Sequence, residues 1–274
     1  MTFNGSKIAI IGAGVMGEAL IKGLLGRETV KPTQIIAADP NEKRGEQLVT
    51  DYGIEFTTDN TEAATAANII ILSIKPQILD RVLQPLHSRV DHVSLVLSIV
   101  AGVKVRTIAG QLLNARVVRA MPNTPGQIGE GITVWTAAHE VMDEQREQAR
   151  QLLSALGEQV YVDDEIMLDM ATALSGSGPA YMFLFMEALI DAGVHMGFSR
   201  RIAEKLVLQT MRGSVDYARA SGLHPAELRN QVTSPGGTSA AALYELEKGR
   251  IRTVISDAVW AAFRRSVELG GDES

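Results

Sequence analysis

Four apolar residues, Ile8-Ala9-Ile10-Ile11, run directly into Gly12-Ala13-Gly14-Val15-Met16-Gly17, and this junction restricts the fold more than any other feature of the chain. A strand that is apolar on both faces needs cover on both faces, as in a parallel sheet flanked by helices. Glycines at this spacing let the chain turn tightly out of the strand, let its backbone approach a pyrophosphate, and let the following helix pack closely on the sheet. Glu18 to Leu25 reads as that helix. The N–H groups at its start, with the positive end of the helix dipole, form an anion receptor. Ile11, Gly12, Ala13, Gly14, Val15, Met16 and Gly17 are therefore candidate dinucleotide ligands.

Similar apolar runs follow at Ile35–Ala38, Ile69–Leu72, Leu95–Ile99, Arg116–Arg119, Ile132–Thr136 and Gln159–Val162, with helical patterns between the early ones. Strand and helix alternating from the N-terminus is the doubly wound α/β plan, a Rossmann-type mostly parallel sheet. Asp39 ends the second strand, where an acid commonly bonds the ribose 2′-hydroxyl of NAD and repels the 2′-phosphate of NADP. Lys43 and Arg44, one turn on, offer that phosphate a grip, and Asp39 has a structural alternative as the cap of the next helix. Ser73-Ile74-Lys75-Pro76 and Ile99-Val100-Ala101 follow strands and belong on the same carboxyl edge. Lys75 reads either as a phosphate or substrate contact or as a solvated surface lysine.

After Asp163-Asp164 the strand signal stops. Ile166, Met167, Met170 and Leu174 recur at helical spacing, Ser175-Gly176-Ser177-Gly178-Pro179 reads as an interruption, and helical patterns resume at Tyr181–Val194, from Ser199 to about Ala220, at Pro225, from Thr238 or Ser239 to Gly249, and from Arg252 to Leu269. The expected division is residues 1–163 as a dinucleotide-binding domain and residues 164–274 as an all-helical domain. Within the second, Thr233-Ser234-Pro235-Gly236-Gly237-Thr238-Ser239 joins two helices with glycine amides and hydroxyls at a helix start. That chemistry suits a carboxylate, although a simple capped helix has the same composition. Ser175 lies in a loop of similar chemistry, where glycines equally serve close helix packing. Asn123, in Met121-Pro122-Asn123-Thr124-Pro125, sits on a loop stiffened by two prolines, which suits either ligand placement or chain reversal.

Composition narrows the alternatives. With no cysteine, disulfides, thiolate metal sites and cysteine nucleophiles are excluded. The five histidines are scattered without ligand spacing, so no metal is expected. A net charge of -6 with 5% aromatics disfavours nucleic acid. No signal-peptide pattern is seen, and no uninterrupted apolar run reaches the roughly 18–20 residues that span a bilayer. A soluble, cytoplasmic protein without membrane partners is the expectation.

Four segments carry a family resemblance: Ile11 to Gly17, Val118 to Pro125, Leu174 to Tyr181, and Leu228-Arg229-Asn230-Gln231-Val232-Thr233-Ser234-Pro235-Gly236-Gly237-Thr238-Ser239. In order and spacing they resemble the pyrroline-5-carboxylate reductase family over essentially the whole chain. The resemblance implies a Rossmann domain followed by a helical domain that forms homodimers by interlocking helices, with a decamer of dimers as the larger assembly. It implies NADPH- or NADH-dependent reduction of L-1-pyrroline-5-carboxylate to L-proline. The cofactor would touch Gly12 to Gly17, Asn60, Ser73 to Pro76 and Ile99 to Ala101. The substrate would meet Asn123, Ser175, Ser234, Gly236, Gly237, Thr238 and Ser239, with Thr238 or Ser239 bonding the ring nitrogen. Many relatives carry threonine where this chain has Ser239; the hydroxyl is kept, with a less restrained rotamer.

Two rival classes share the first half. A hydroxyacid dehydrogenase needs a proton-transfer residue in the helical half, where Lys205 and His195 lack a recognisable motif. A non-catalytic sensor would bind the dinucleotide without turnover.

Overall fold

The computed structural model describes residues 2–271. Its sheet comprises β1 (Ile8–Ile11), β2 (Ile35–Ala38), β3 (Glu55–Thr57), β4 (Ile69–Leu72), β5 (Leu95–Ser98), β6 (Val117–Met121), β7 (Gly131–Ala137) and β8 (Gly157–Tyr161). The spatial order is β3-β2-β1-β4-β5-β6-β7-β8. Every neighbouring pair is parallel except β6 with β7. The order reverses between β1 and β4, so the carboxyl ends of β1 and β4 flank a crevice of the kind that receives ligands in open α/β sheets.

Between the strands run α1 (Val15–Gly26), α2 (Glu42–Tyr52), α3 (Asn60–Thr65), α4 (Leu79–Leu83), α5 (Val105–Leu112) and α6 (Asp143–Ser154). Alternation within each strand divides its apolar residues between two cores. Ile8, Ile10, Ile35, Ala37, Ile69, Ile71, Leu95 and Leu97 pack with Leu20, Leu24 and Leu48 from α1 and α2 and with Leu152 and Leu153 from α6. Ala9, Ile11, Ile36, Ala38, Ile70, Leu72 and Val96 pack on the other face with Ala63, Val82, Leu83, Ile108 and Leu112 from α3, α4 and α5. Continuous apolar runs are required here because neither face of the central strands meets water.

Beyond the sheet come α7 (Ile166–Ala171), a π-helical turn (Thr172–Gly176), α8 (Gly178–His195), α9 (Arg200–Ser221), α10 (Pro225–Gln231), α11 (Thr238–Lys248) and α12 (Ile251–Leu269). Chain contacts define two units. One holds the chain up to Ser177 together with the chain from Ala262 on; the other is Gly178–Ala261. In the helical unit α8 packs on α9, where a Cβ on Gly193 would lie 3.0 Å from that of Ala203.

Three local expectations are corrected. The edge strand β3 was not anticipated, because Glu55-Phe56-Thr57 is short and only partly covered and so lacks the buried apolar run that marks its neighbours. Ser175 to Pro179 does not interrupt the helix: the widened π turn absorbs the extra residue and the chain continues into α8. As a consequence Ile166–His195 is a 30-residue helical stretch holding an 18-residue window of mean hydropathy 1.2, long and apolar enough by those two measures to cross a membrane. The sequence had shown no such run because it appeared broken at the glycines.

Glycine also sets how closely layers approach. A Cβ on Gly23 of α1 would lie 2.3 Å from the carbonyl oxygen of Ala155, whereas one on Gly110 of α5 meets nothing within 4 Å. Gly23→Ala is therefore expected to destabilise the protein by about 1–3 kcal/mol through overpacking. Gly110→Ala should instead be neutral or stabilising by up to about 1 kcal/mol. Urea titration followed by circular dichroism measures both.

Candidate functional site

The carboxyl edge of the sheet is extended by backbone hydrogen bonds beyond the strands. Gly12 N–H donates to the Ala38 carbonyl (2.8 Å), Ser73 N–H to that of Ile11 (2.8 Å) and Ile99 N–H to that of Leu72 (3.0 Å). These bonds gather the turns after β1, β2, β4 and β5 into one surface.

The three glycines of the first turn act differently. Gly12 has φ +91°, and a Cβ there would lie 2.4 Å from the Ser73 carbonyl oxygen and 2.7 Å from Ile74 Cγ2. A Cβ on Gly17 would lie 2.4 Å from the Gly12 carbonyl oxygen. These two positions are forced by packing and conformation. Gly14, which caps α1, has nothing within 4 Å of a would-be Cβ, so its lack of a side chain leaves open a cradle at the helix start. Such a cradle, lined by helix-initiating N–H groups, fits a pyrophosphate.

Asp39 follows β2 directly. One carboxylate oxygen accepts from Ala13 N–H (3.1 Å) and the other from Asn41 N–H (3.0 Å). The cap of α2 is Asn41, whose side chain accepts from Arg44 N–H (3.3 Å), so Asp39 is not the helix cap. Arg44 turns back onto the glycine loop, donating through Nε to the Ala13 carbonyl (3.1 Å) and pairing with Glu18. Tyr52 donates to the other Glu18 oxygen (3.0 Å). The hydrogen bond from Arg44 holds the Glu18 carboxyl below its usual range, while burial and the bond to Glu18 raise the Tyr52 phenol.

The remaining cofactor candidates lie on loops of the same edge. Asn60 opens α3 just after β3, and Ser73 and Ile74 press against Gly12. Lys75 is exposed ahead of a short 3₁₀ turn beginning at Pro76. Val100 N–H is fixed by Ser98 Oγ (3.2 Å), and Ala101 is followed by Gly102 at φ +73°.

On the candidate substrate side, both ends of the Asn123 carboxamide are engaged. Its oxygen accepts from Ile132 N–H (2.9 Å), and its nitrogen donates to the Ser175 carbonyl (3.2 Å). It pins the proline-flanked loop to the π turn. Ser175 Oγ donates to the Ala171 carbonyl (2.9 Å). In the helical unit, Gly236 has φ +71°, Gly237 N–H donates to the Ser234 carbonyl (3.0 Å), and a Cβ on Gly237 would lie 2.5 Å from Ser234 Oγ. Gly237 caps α11 without a side-chain bond, so the first amides of the helix, from Thr238 on, have no intrahelical acceptor. The loop is compact, and its donors suit a carboxylate.

One cluster was not foreseen. Arg119 on β6 has a side chain 3% exposed and pairs with Asp169 of α7 (3.2 Å) and Glu165 (3.1 Å). Ser266 Oγ of α12 donates to Asp169 (2.8 Å), and Val105 N–H at the start of α5 donates to Glu165 (2.8 Å). A charged residue inside the apolar run Val117-Val118-Arg119-Ala120 was the available signal, since a buried guanidinium needs an anion. Arg119→Met, which leaves Asp169 buried without its cation, is expected to cost about 3–5 kcal/mol in a urea titration.

Comparisons with known proteins accord with both halves. Residues 165–269 match the family model described as pyrroline-5-carboxylate reductase dimerisation, and residues 7–102 match that described as NADP oxidoreductase, coenzyme F420-dependent. The chain is 42% identical to a pyrroline-5-carboxylate reductase from Synechocystis sp., covering 96% of this chain and 98% of the relative. It is 41% identical to one from Pseudomonas aeruginosa, covering 96% of each. Among solved structures, Plasmodium falciparum pyrroline carboxylate reductase, determined with NADP bound, superposes with TM-score 0.88 at 32% identity over 97% of this chain and 98% of the other.

Proposed function

The chain belongs to the pyrroline-5-carboxylate reductase family, and we infer that it reduces L-1-pyrroline-5-carboxylate to L-proline with NADPH or NADH, the closing step of proline biosynthesis. The observation that carries the site assignment is the pair of anion-receptive turns. One is the Gly14-capped start of α1 on the sheet, and the other is the Gly237-capped start of α11 in the helical unit. The first suits a pyrophosphate and the second a carboxylate.

In this reading Gly12 to Gly17 hold the diphosphate, Asp39 and Asn60 serve the adenosine half, and Ser73 to Pro76 with Ile99 to Ala101 line the path toward the nicotinamide. Gly236, Gly237, Thr238 and Ser239 receive the substrate carboxylate, and Ser234 keeps their turn closed. Asn123 and Ser175 act by fixing their loop and the π turn. When bound, the reduced nicotinamide supplies a hydride. The substrate is a cyclic imine that is protonated near neutrality, so its C=N carbon is electrophilic before any acid acts on it. The protein's task is then chiefly orientation, which contributes up to about 7–11 kcal/mol of barrier reduction. Thr238 or Ser239 bonds the ring nitrogen, directly or through water.

The family's dimerisation segment suits a helical unit in which, among the described residues, only Gly193 and Ala203 are buried. Phe183 and Leu184 on α8, Val215 on α9 and Val254 on α12 are all more than half exposed in the single chain. We assign this apolar surface, including the long stretch from Ile166, to a homodimer interface, take residues 164–274 as the substrate-binding and dimerisation domain, and place a ring of dimers and a cytoplasmic site of action as further parts of the proposal.

Oxidation of NADPH or NADH followed by absorbance, with and without pyrroline-5-carboxylate, tests the activity: turnover is expected only with the imino acid. A bound dinucleotide without turnover would favour the sensor. Thr238→Ala should raise KM for the imino acid or lower kcat by about tenfold or more while leaving the dinucleotide Kd within about twofold, since a hydrogen bond to a charged ligand contributes about 1.5–3 kcal/mol. Equal losses in both measurements would move the carboxylate site elsewhere.

A further inference from the structure

This inference rests on the dinucleotide site above and concerns which dinucleotide it selects. The 2′ position of the adenosine ribose distinguishes the two: a hydroxyl in NADH, a doubly charged phosphate in NADPH. A phosphate at the end of β2 calls for a cation free to bond it, and an unopposed carboxylate there repels it. The sequence places two cations next to Asp39 and leaves the choice open.

The structure removes one of them. Arg44 is not directed outward from α2 but is drawn under the glycine turn by two partners, one of them braced by a third residue. The Ala13 carbonyl takes its Nε, Glu18 from the first turn of α1 takes its Nη2, and Tyr52 from the end of α2 fixes the second oxygen of Glu18. Both partners of the ion pair are less than one-third exposed. Asp39 is fixed as well: with Ala13 N–H on one oxygen and Asn41 N–H on the other, its carboxylate cannot swing aside without leaving two amides of the turn unpaired. The second cation, Lys43, lies exposed on the first turn of α2, as a hydrated and salt-screened point charge on a flexible stem.

We propose that Glu18 and Tyr52 form a latch that withholds Arg44 from the adenosine 2′ position and, with the fixed Asp39 carboxylate, makes this chain select NADH over NADPH. Glu18 and Tyr52 thereby act as specificity-determining residues through Arg44, while Asp39 meets the ribose itself. Selection arises as much from repulsion of the wrong ligand as from attraction of the right one.

Direct binding tests this without turnover. Titrating the full-length protein with each reduced dinucleotide, read by nicotinamide fluorescence, should give an NADH Kd at least about tenfold below that of NADPH, as expected for a charge-assisted contact exchanged for a like-charge one. Glu18→Gln, which keeps the hydrogen-bonding shape but removes the charge that retains Arg44, should tighten NADPH about fivefold or more and move NADH by less than about twofold. Asp39→Ser should shift the ratio toward NADPH by about tenfold independently of the latch, and it covers the case in which the Glu18 variant does not fold. Equal wild-type affinities, or a preference for NADPH, would overturn the selection and leave the dinucleotide site standing. So would a folded Glu18→Gln protein with an unchanged ratio. Failure of the wild type to bind either dinucleotide would overturn both.

Discussion

The chain turns from β1 into α1 against the loop that leaves β4, and that contact leaves no room for a side chain. Gly12 sits at φ +91° with the Ser73 carbonyl where a Cβ would be, and Gly17 meets Gly12 in the same way. Because the amides of Gly12, Ser73 and Ile99 also join the turns after β1, β2, β4 and β5, the ligand edge is built mainly from backbone. The helix-start amides of α1, held in place by this frame, need no ordering when an anion arrives, which lowers the entropic cost of binding. Side chains then have a secondary part on this surface: Asp39 accepts from the Ala13 amide and Arg44 donates to the Ala13 carbonyl, so both brace the glycine turn.

A different economy governs the helical half. The sheet unit is covered on both faces by its own helices, but Gly178–Ala261 buries very little of itself. Helices that expose Phe183, Leu184 and Val254 offer an apolar surface for another surface to cover, and residues 165–269 match the family model described as a dimerisation segment. The hydropathy of Ile166–His195 accords with the homodimer interface proposed above, because a helix covered by a second subunit would meet apolar neighbours on more than one side.

Arg119 gathers, within the sheet unit, segments of chain from either side of the helical excursion. Asp169 precedes the point where the chain leaves the sheet unit, after Ser177, and Ser266 follows the point where it returns, at Ala262. Both side chains meet on or beside one guanidinium that itself belongs to a central-sheet strand. Replacing such a cluster by apolar residues of similar volume is often neutral for stability, so its use here is better understood as fixing which segments meet. An apolar core would tolerate a shifted helix; a buried ion pair with a hydroxyl on the same carboxylate is far less permissive.

Legibility in the sequence divides along the same physical line. Periodicity is local, so the buried strands, the glycine turn and the long helices were readable from consecutive residues, and the turn chemistry of Gly236 and Gly237 was readable too. Partnership is not local. Asn123 reads from the sequence as a residue on a stiff loop, and the bonds of its carboxamide to Ile132 and to Ser175, 52 residues away, are not legible there. Asp169 and Ser266 are separated by 97 residues, and nothing in either neighbourhood announces the other. Arg44 shows the consequence for function most clearly. Its position one turn beyond β2 fits a phosphate grip, but Glu18 had already been read as part of an ordinary helix, and only the packing of α1 against α2 brings the two together. A charged residue near a ligand edge therefore acquires a role only once its nearest counter-charge is known, and that counter-charge is set by which elements pack together.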